Sequence, residues 1–173
     1  MPGSGKSTVV SALKTRGFEA LNLGDGVRAE ARRRNLEPSG DNLGKLMLEL
    51  REKNGPGAIA ALLTEPIKNS QSKVIIVDGV RSTAEIEVLK SVGSVKLLSI
   101  EATADTRYKF LSSRGRSDDP ATREKFEERD NRELGVGIGE SIAIADETIS
   151  NSNITLDELT ELAYKVIEKW TDT

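Results

Sequence analysis

The amino-acid sequence contains no cysteine and no histidine among its 173 residues. Without these side chains the chain can form no disulfide, no Cys/His zinc site, no cysteine nucleophile and no Ser-His-Asp triad. Any chemistry must therefore use carboxylates, lysine, arginine, hydroxyl groups or a hard cation bound by oxygen ligands.

The sequence also has no long hydrophobic run. Apolar stretches such as residues 74–77 are far too short to span a bilayer, and no signal-peptide pattern opens the chain, so we expect a cytoplasmic location and no membrane partner. Its 25 basic and 28 acidic residues give a net charge of −3, which argues against nonspecific binding of nucleic acid. The length predicts one domain over residues 1–173. The oligomeric state does not follow from these features.

Short apolar runs rich in β-branched residues alternate with helical patterns. Capping boxes, in which a Ser or Thr N-cap is followed three residues later by Glu, predict helices that begin at Ser82 and Thr155. Strands that alternate with helices imply βαβ units, so we expect an α/β fold, open and three-layered, with a mostly parallel sheet. Strands are predicted at residues 18–23, 73–78, 95–102 and 147–150.

Two further helical regions complete this outline. Residues from about 24 to 69 are predicted to form a helical insert between two strands, of the kind that covers a ligand at the strand ends. The last helix is expected to pack one face on the domain. Its apolar residues at helical spacing are Leu156, Leu159, Leu162, Val166, Ile167 and Trp170.

The opening residues, MPGSGKST, match the end of the phosphate-binding loop pattern G-x-x-x-x-G-K-[ST] at Gly5, Lys6 and Ser7. Gly3 and Gly5 allow backbone torsions and close approaches that a Cβ would block. Successive N–H groups and the N-terminus of the following helix can then face a polyphosphate. Lys6 is expected on the β- and γ-phosphates and the Ser7 hydroxyl on Mg²⁺. A flexible tail is the alternative, but the amphipathic helix that follows directly argues against it.

A second group of candidate residues lies near the ends of predicted strands. Asp78 is expected to hold Mg²⁺ through water or to orient the attacking group, the alternative being an Asp that caps the next turn. Arg28, which follows Asp25 in the insert, and Arg81 together could clamp an acceptor phosphate. Three neighbouring arginines are expected mainly on a solvated helix face: Arg32, Arg33 and Arg34.

A short polar loop, residues about 112–120, joins two predicted helices and carries Arg116. Arg114 precedes the loop on the same helix face as Arg107, and Pro120 is expected in the first turn of the next helix. That helix carries Arg129 and Arg132, which point the same way. Such a hairpin could fold over a transferring phosphoryl group. An ordinary charged hairpin, with surface pairs such as Glu128–Arg132, is the alternative.

The segment LGVGIGES resembles a dinucleotide fingerprint but does not satisfy it. Glu140 stands where the last glycine of G-x-G-x-x-G should be, and a helix rather than a strand precedes the segment. We interpret its glycines as a helix stop and a turn.

These motifs together resemble the P-loop nucleotide kinases, specifically the archaeal adenylate-kinase-related proteins, with a secondary likeness to dephospho-CoA kinase. The resemblance covers essentially the whole chain: PGSGKS is similar to the ATP loop, GDGVR to the monophosphate-binding segment, VIIVDGVRS to the segment with the acid, and RGRSDDP with EERD to the lid. It implies an acceptor role for Asp25, Arg28 and Arg81, and contacts to the ATP phosphates from Arg114, Arg116 and Arg129. It implies that the loop around Asn151 borders the adenine. The ATP-loop residues it implies are Gly3, Ser4, Gly5, Lys6, Ser7 and Thr8.

The resemblance also implies the sheet order 2-3-1-4-5, in which the first strand is central. A phosphate-binding loop normally follows that strand, and none can precede Met1 in this sequence. We therefore expect the natural chain to begin upstream, with an apolar run that ends in glycine. Without it, the third and fourth strands would each have an unpaired edge.

The implied activity is Mg²⁺-ATP-dependent phosphoryl transfer to a nucleoside monophosphate, with AMP as the expected acceptor. Adenylate kinases have a proline between the Gly and the Arg of the acceptor segment, whereas this chain has DGVR, and its lid is short. Other acceptors, including dephospho-CoA, therefore stay open. The alternative to an enzyme is a non-catalytic switch or sensor that binds ATP or AMP. An accessory factor that acts on nucleic acid is a weaker alternative.

Overall fold

The computed structural model describes residues 1–114 and 119–171. Two compact units make up the chain: a terminal unit, Met1–Gly17 with Lys96–Thr173, and a middle unit, Phe18–Val95. Within the described ranges, no helix is long and apolar enough to cross a membrane. In chain order the elements are α1 (Lys6–Thr15), β1 (Glu19–Asn22), α2 (Leu23–Arg33), α3 (Gly40–Asn54), α4 (Ala58–Ala61), α5 (Thr64–Asn69), β2 (Ile75–Asp78), α6 (Thr83–Lys90), β3 (Leu98–Glu101), α7 (Ala104–Arg114), α8 (Arg123–Val136), α9 (Ile138–Ala143), β4 (Glu147–Ser150) and α10 (Leu156–Thr171).

The middle unit is built on a two-stranded parallel sheet. β1 and β2 pair in register, from Glu19 opposite Ile75 to Asn22 opposite Asp78. Because parallel strands end at the same edge of a sheet, this register places Asn22 and Asp78 side by side at the carboxyl ends. Asn22 and Asp78 are therefore the polar side chains at the carboxyl ends of this sheet.

Apolar helix faces form the core of the middle unit. Leu23, Val27 and Ala31 recur every four residues along α2 and are at most 2% exposed. Fully burying such a leucine or valine side chain stabilises the fold by about 1.5–3 kcal/mol. The remaining buried members of this core come from α3, the segment around α4, and α6: Leu46, Leu50, Ala58, Ile59, Ala60, Leu63 and Leu89.

The terminal unit has its own pair of parallel strands. β3 and β4 pair from Leu98 opposite Glu147 to Glu101 opposite Ser150. The four predicted strands are all present, three of them shorter than predicted. The β1–β2 and β3–β4 pairs are the neighbours 2-3 and 4-5 of the implied sheet order. In the described part of the chain, each sheet consists of these two strands.

Helix α10 packs on α1 and β4, as its apolar pattern predicts, although the buried stripe is narrower. Leu159, Ala163 and Ile167 are buried, whereas Leu156 and Leu162 are 53% and 44% exposed. Leu156 is the first residue of the helix and Leu162 lies on the flank of the stripe, so the prediction that both pack inward is wrong.

The two predicted capping boxes differ in the structure. At α10, Thr155 N–H donates to Glu158 Oε2 (2.7 Å) and Glu158 N–H donates to Thr155 Oγ1 (3.2 Å), which confirms the reciprocal box. At α6, Glu85 N–H donates to Ser82 Oγ (3.3 Å), and the buried Glu85 carboxylate accepts from the backbone N–H of Arg81 (2.7 Å). The second cap therefore also fixes the backbone of an acceptor-site candidate.

One predicted helix boundary is wrong, and the helix stop predicted among the glycines of LGVGIGES is confirmed at Gly137. Thr122 caps α8 by accepting from Lys125 N–H (3.3 Å), so Pro120 lies before the helix and not in its first turn. α8 continues through Gly135 and stops at Gly137, whose φ of 109° favours glycine. A new helix, α9, starts at Ile138 where we predicted a turn.

We predict that Gly57→Ala destabilises the middle unit. A Cβ at Gly57 would lie 2.6 Å from Val88 Cγ2 and 2.9 Å from the backbone oxygen of Ala84 on α6. Because a backbone atom of α6 would have to move, we expect a loss of about 1–3 kcal/mol in the free energy of unfolding, measured by urea denaturation.

Gly44→Ala is the matched control, because Gly44 lies inside α3 and its Cβ would meet no atom within 4 Å. That variant should gain about 0.5–1 kcal/mol from the lower backbone entropy of its unfolded state. A Gly57→Ala protein as stable as the wild type would contradict the packing described for α4 and α6.

Candidate functional site

The phosphate-loop candidates lie in the terminal unit, immediately before α1. Gly3 and Gly5 have φ of 79° and 104°, in the left-handed region that favours glycine. Gly5 is the N-cap of α1, and its carbonyl accepts from the N–H groups of Thr8 (3.0 Å) and Val9 (3.2 Å). The loop therefore runs directly into the N-terminus of a helix of 10 residues.

Close packing on both glycines fixes the path of this loop. A Cβ at Gly3 would lie 2.8 Å from the backbone oxygen of Arg107 and 2.9 Å from Leu111 Cγ. One at Gly5 would lie 2.6 Å from Asn151 Nδ2 and 2.9 Å from Leu159 Cδ2. The loop is thus pressed against α7 on one side and against Asn151 and α10 on the other.

Several N–H donors of the loop have no acceptor among the residues that the structure describes. Among the described residues, the backbone N–H groups of Ser4, Gly5 and Ser7 donate to no atom. Ser4 is only 1% exposed, and an N–H group buried in this way costs free energy unless a ligand or a water accepts from it. Together with the positive end of the α1 dipole, these N–H groups can bind an anion.

Two carbonyls of the loop, in contrast, accept hydrogen bonds from buried side chains. Arg107 Nη1 donates to the carbonyl of Pro2 (3.1 Å), and Asn151 Nδ2 donates to the carbonyl of Ser4 (3.0 Å). Asn151 is 2% exposed, and its N–H donates to the carbonyl of Glu101 at the end of β3 (2.6 Å). The structure thus places Asn151 beneath the loop, in contact with its backbone.

Lys6 and the two hydroxyl residues that follow it open α1. Lys6 Nζ donates to the carbonyl of Met1 (2.7 Å) and to Ser4 Oγ (3.4 Å), so its ammonium lies over the loop. Ser7 is exposed, and its hydroxyl makes no hydrogen bond with any described residue, whereas Thr8 is half-buried. A cation and an accessible alcohol oxygen therefore lie beside the N–H groups.

The lid arginines are placed differently from one another. Arg114, the last residue of α7, forms an ion pair with the largely buried carboxylate of Asp119. Arg129 is half-buried on α8, whereas Arg132 is exposed, so the two do not share an environment. Arg116 lies outside the described residues.

Arg107 and Asp130 were missed as functional candidates. The Arg107 guanidinium donates to both Asp130 oxygens, with Nη1 2.8 Å from Oδ1, and its side chain is 7% exposed. In the sequence, Arg107 shares one helix face with Leu111, and these two are the buried residues of α7. A charged residue at such a position needs a partner, and Asp130 supplies it.

In the middle unit, Asp78 ends β2 next to Asn22 at the end of β1. Asn22 Nδ2 donates to Asp78 Oδ2 (2.9 Å), and Asn22 Oδ1 caps α2 by accepting from the N–H groups of Gly24 (2.8 Å) and Asp25 (3.3 Å). Within the described ranges, Asp78 Oδ1 accepts no hydrogen bond. Sequence reasoning missed Asn22, although an asparagine between a strand and a helix is a typical N-cap.

The acceptor-site candidates of the middle unit follow these strand ends. Arg28 Nη1 forms an exposed ion pair with Asp25 Oδ1 (2.6 Å). Arg81 is half-buried, and its Nη1 donates to the carbonyl of Gly79 (3.4 Å). Its backbone N–H is held by Glu85, which is 1% exposed and also lies 3.5 Å from Arg51 Nη2. Arg81 is thus anchored through its backbone.

Two of the three neighbouring arginines are paired on α2. Arg33 and Arg34 both donate to Glu30, and Arg34 also reaches Glu49 (3.0 Å). Hydrogen bonds from Arg33 and Arg34 lower the pKa of Glu30 to about 2 despite its burial. Arg32 is exposed, and in the described part of the chain it has no ion pair. These positions agree with the predicted solvated helix face.

A glycine loop that opens a helix, with parallel strands whose carboxyl ends carry an acid, defines the P-loop kinase fold. A family model described as an AAA domain matches residues 1–127. The chain belongs to this P-loop kinase-related family and to the UPF0200 proteins.

The relatives that support this assignment align over most of the chain. A UPF0200 protein of Hyperthermus butylicus is 38% identical over 171 residues, which cover 99% of this chain and 91% of the relative. Another, of Methanothrix thermoacetophila, is 43% identical over 173 residues, 98% of this chain and 93% of the relative. A third, of Pyrococcus abyssi, is 41% identical over 158 residues, 88% of this chain and 84% of the relative.

A solved structure shares the fold. The crystal structure of TT1252 from Thermus thermophilus superimposes with a TM-score of 0.67, covering 96% of this chain and 93% of that one. At 20% sequence identity, this likeness shows the fold alone.

We predict that Gly5→Ala weakens both the fold and the binding of Mg-ATP. Alanine is strained at the left-handed φ of this position, and its Cβ would displace Asn151 Nδ2 from the carbonyl of Ser4. We expect a loss of about 2–4 kcal/mol in the free energy of unfolding. The dissociation constant for Mg-ATP, measured by calorimetry, should rise at least about tenfold.

Gly17→Ala is the control, because Gly17 has a similar φ of 93° but open space around its Cβ. It should cost only about 1–2 kcal/mol of backbone strain and leave nucleotide affinity unchanged. Equal effects of the two substitutions on ATP affinity would contradict the packing of Asn151 on the loop.

We predict that Glu30→Gln lowers the free energy of unfolding at neutral pH, because it removes the charged partner of Arg33 and Arg34. The loss should be only about 1–2 kcal/mol, because Arg33 is largely exposed and solvent screens part of the interaction. The folded-state pKa of Glu30 lies below its ordinary value of 4.5, so its contribution is complete above pH 4.5 and is lost as the pH falls toward about 2. Unfolding free energies between pH 7 and pH 3 should therefore converge for wild type and variant. Glu65→Gln, which breaks an exposed pair with Lys68, should have no measurable effect. A difference that stays constant with pH would refute the role of Glu30.

Proposed function

We propose that the protein transfers the γ-phosphoryl group of Mg-ATP to a nucleoside monophosphate, with AMP as the expected acceptor. The observation that carries this proposal is the loop before α1. Its Ser4, Gly5 and Ser7 N–H groups have no acceptor among the described residues, and the ammonium of Lys6 lies over the same loop. Such a concentration of donors is suited to a polyphosphate.

On the donor side, Lys6 would exchange its hydrogen bonds to the loop for contacts with the β- and γ-phosphates. The Met1 carbonyl and Ser4 Oγ are neutral acceptors, and a phosphate oxygen forms a stronger, charge-assisted bond with an ammonium. Arg114 is the last residue of α7 and Arg129 lies within α8; with Arg116, they would neutralise the charge that develops on the phosphates. The protein would therefore act by positioning and by electrostatics.

The oxygen atoms present suit Mg²⁺. In the terminal unit the Ser7 hydroxyl is accessible, and in the middle unit Asp78 Oδ1 accepts no hydrogen bond from a described residue. Each, taken by itself, is a hard oxygen of the kind that Mg²⁺ prefers. When bound, Mg²⁺ would supply positive charge that offsets the negative charge of the transferring phosphoryl group. Asn22 would keep the other oxygen of Asp78 oriented.

On the acceptor side, we assign Arg28, Arg81 and Asp25 to the monophosphate. The exposed Arg28–Asp25 pair is weak, because water screens it, so a phosphate can compete for the guanidinium. An oxygen of the acceptor phosphate would attack the γ-phosphorus while the bond from that phosphorus to the bridging oxygen breaks. With AMP, one ATP and one AMP then give two ADP.

A non-catalytic nucleotide sensor is the second candidate. Two of the proposed phosphate ligands, Arg28 and Arg114, are held by carboxylates, so nucleotide binding would have to rearrange ion pairs. Such a rearrangement could signal occupancy without transfer. Dephospho-CoA stays an alternative acceptor for the enzyme.

We predict that wild-type protein forms ADP from ATP and AMP, and that Lys6→Ala or Arg116→Ala abolishes most of this activity. Removing one cation from the transferring phosphoryl group can lower the rate by about 10³–10⁵. A coupled assay over nucleoside monophosphates and dephospho-CoA measures the effect and identifies the acceptor. Lys14→Ala is the control, because Lys14 is exposed near the other end of α1.

Absence of turnover with every acceptor would contradict the proposed kinase activity. Calorimetry then tests the alternative of a nucleotide sensor. A sensor should bind one nucleotide tightly, and a two-substrate analogue should not compete with that nucleotide. Loss of activity in Lys14→Ala as large as in Lys6→Ala would show that the loop lysine has no special role.

A further inference from the structure

We propose that Arg107 is a positioning residue that holds the phosphate-binding loop in its anion-binding shape. It would act through the carbonyl of Pro2, with Asp130 fixing its guanidinium. This inference deepens the proposed function and rests on its ATP site. It concerns the terminal unit alone.

One buried guanidinium joins three segments of the terminal unit. Arg107 lies on α7 and donates to both carboxylate oxygens of Asp130 on α8. It also donates to the carbonyl of Pro2 in the loop (3.1 Å). The guanidinium carbon also lies 4.8 Å from the centre of the Phe126 ring. The carboxylate and the ring fix the plane of the guanidinium, and that plane directs an N–H at the loop.

The loop needs such a hold because of how peptide groups alternate. For successive N–H groups to converge on an anion, the carbonyls of the same segment must point away from it, toward the protein. Buried carbonyls there need donors. Arg107 supplies one for Pro2, and Asn151 supplies one for Ser4 from the opposite side. The backbone of Gly3 lies between these two fixed carbonyls.

Arginine suits this position better than any other side chain. Its planar fork can bind both oxygens of a carboxylate and still donate to a third acceptor, whereas lysine offers a compact charge without that geometry. A buried ion pair contributes little net stability compared with apolar residues of similar size. The pair is therefore better explained by the backbone that it orients than by stability.

The same anchor joins the two helices that carry proposed phosphate ligands. Arg107 is seven residues before Arg114 on α7, and Asp130 directly follows Arg129 on α8. The loop and the two arginine-bearing helices therefore share one fixed point. Loss of this point should lower affinity for the phosphates of ATP, while the acceptor candidates of the middle unit keep their own contacts.

The test compares Arg107→Gln with Arg123→Gln. Arg123 also joins α7 to α8, through Asp105 (2.7 Å), and also lies over Phe126 (5.3 Å), but it has no described contact with the loop. We measure the dissociation constants of Mg-ATP and of inorganic tripolyphosphate by calorimetry, and melting temperatures by circular dichroism. Tripolyphosphate isolates the loop because it has no adenosine.

We expect Arg107→Gln to weaken both ligands by about tenfold or more and Arg123→Gln to change neither by more than about twofold. Arg107→Lys, which retains the charge but not the fork, should recover only part of the affinity. In the transfer assay, KM for ATP should rise while KM for AMP stays unchanged.

Wild-type affinity for tripolyphosphate in Arg107→Gln, or equal losses in both glutamine variants, would overturn the inference. If Arg107→Gln does not fold, Arg107→Lys and Asp130→Asn replace it, and their affinities for tripolyphosphate are compared with that of Arg123→Gln in the same way. A wild-type protein that binds no tripolyphosphate overturns the inference as well. A wild type that binds it but transfers no phosphoryl group contradicts the kinase function and leaves the inference standing.

Discussion

The orientation of the peptide groups between Pro2 and Ser7 is the constraint on which the terminal unit depends. N–H groups that gather around an anion force their carbonyls toward the protein, where each one needs a donor. Arg107 and Asn151 meet that need from α7 and from the end of β4, and left-handed glycines let the chain pass between them. Lys6 and the α1 dipole then add positive charge.

The middle unit follows a simpler rule, that parallel strands end together. The register of β1 and β2 makes Asn22 and Asp78 neighbours, and one amide both caps α2 and orients the acid. In the terminal unit, Asn151 follows β4 and donates to the carbonyl at the end of β3. In each unit an asparagine at a strand end connects the sheet to polar groups proposed to act on phosphate.

Much of this arrangement was predictable from local sequence, and the rest was not, for physical reasons. The P-loop pattern, the strand ending at Asp78 and the Thr155 capping box depend on short-range chemistry, and the structure has each of them. Arg107 with Asp130 and Asn151 with Ser4 join residues far apart in sequence, so no local pattern reveals them. The boundary at Pro120 was wrong because Thr122 competed for the cap. The exposed Leu162 shows that helical spacing alone does not fix the width of a buried stripe.

Within residues 3–8, the N–H groups of Ser4, Gly5 and Ser7 are proposed to bind the phosphates of ATP. Amide hydrogen exchange of this segment, with and without Mg-ATP, tests this proposal most directly because exchange reports on each donor. We expect Mg-ATP to slow exchange at residues 3–8 and Lys6→Ala to remove much of this protection. Unchanged exchange in this segment, in wild-type protein that is saturated with Mg-ATP, would contradict the account.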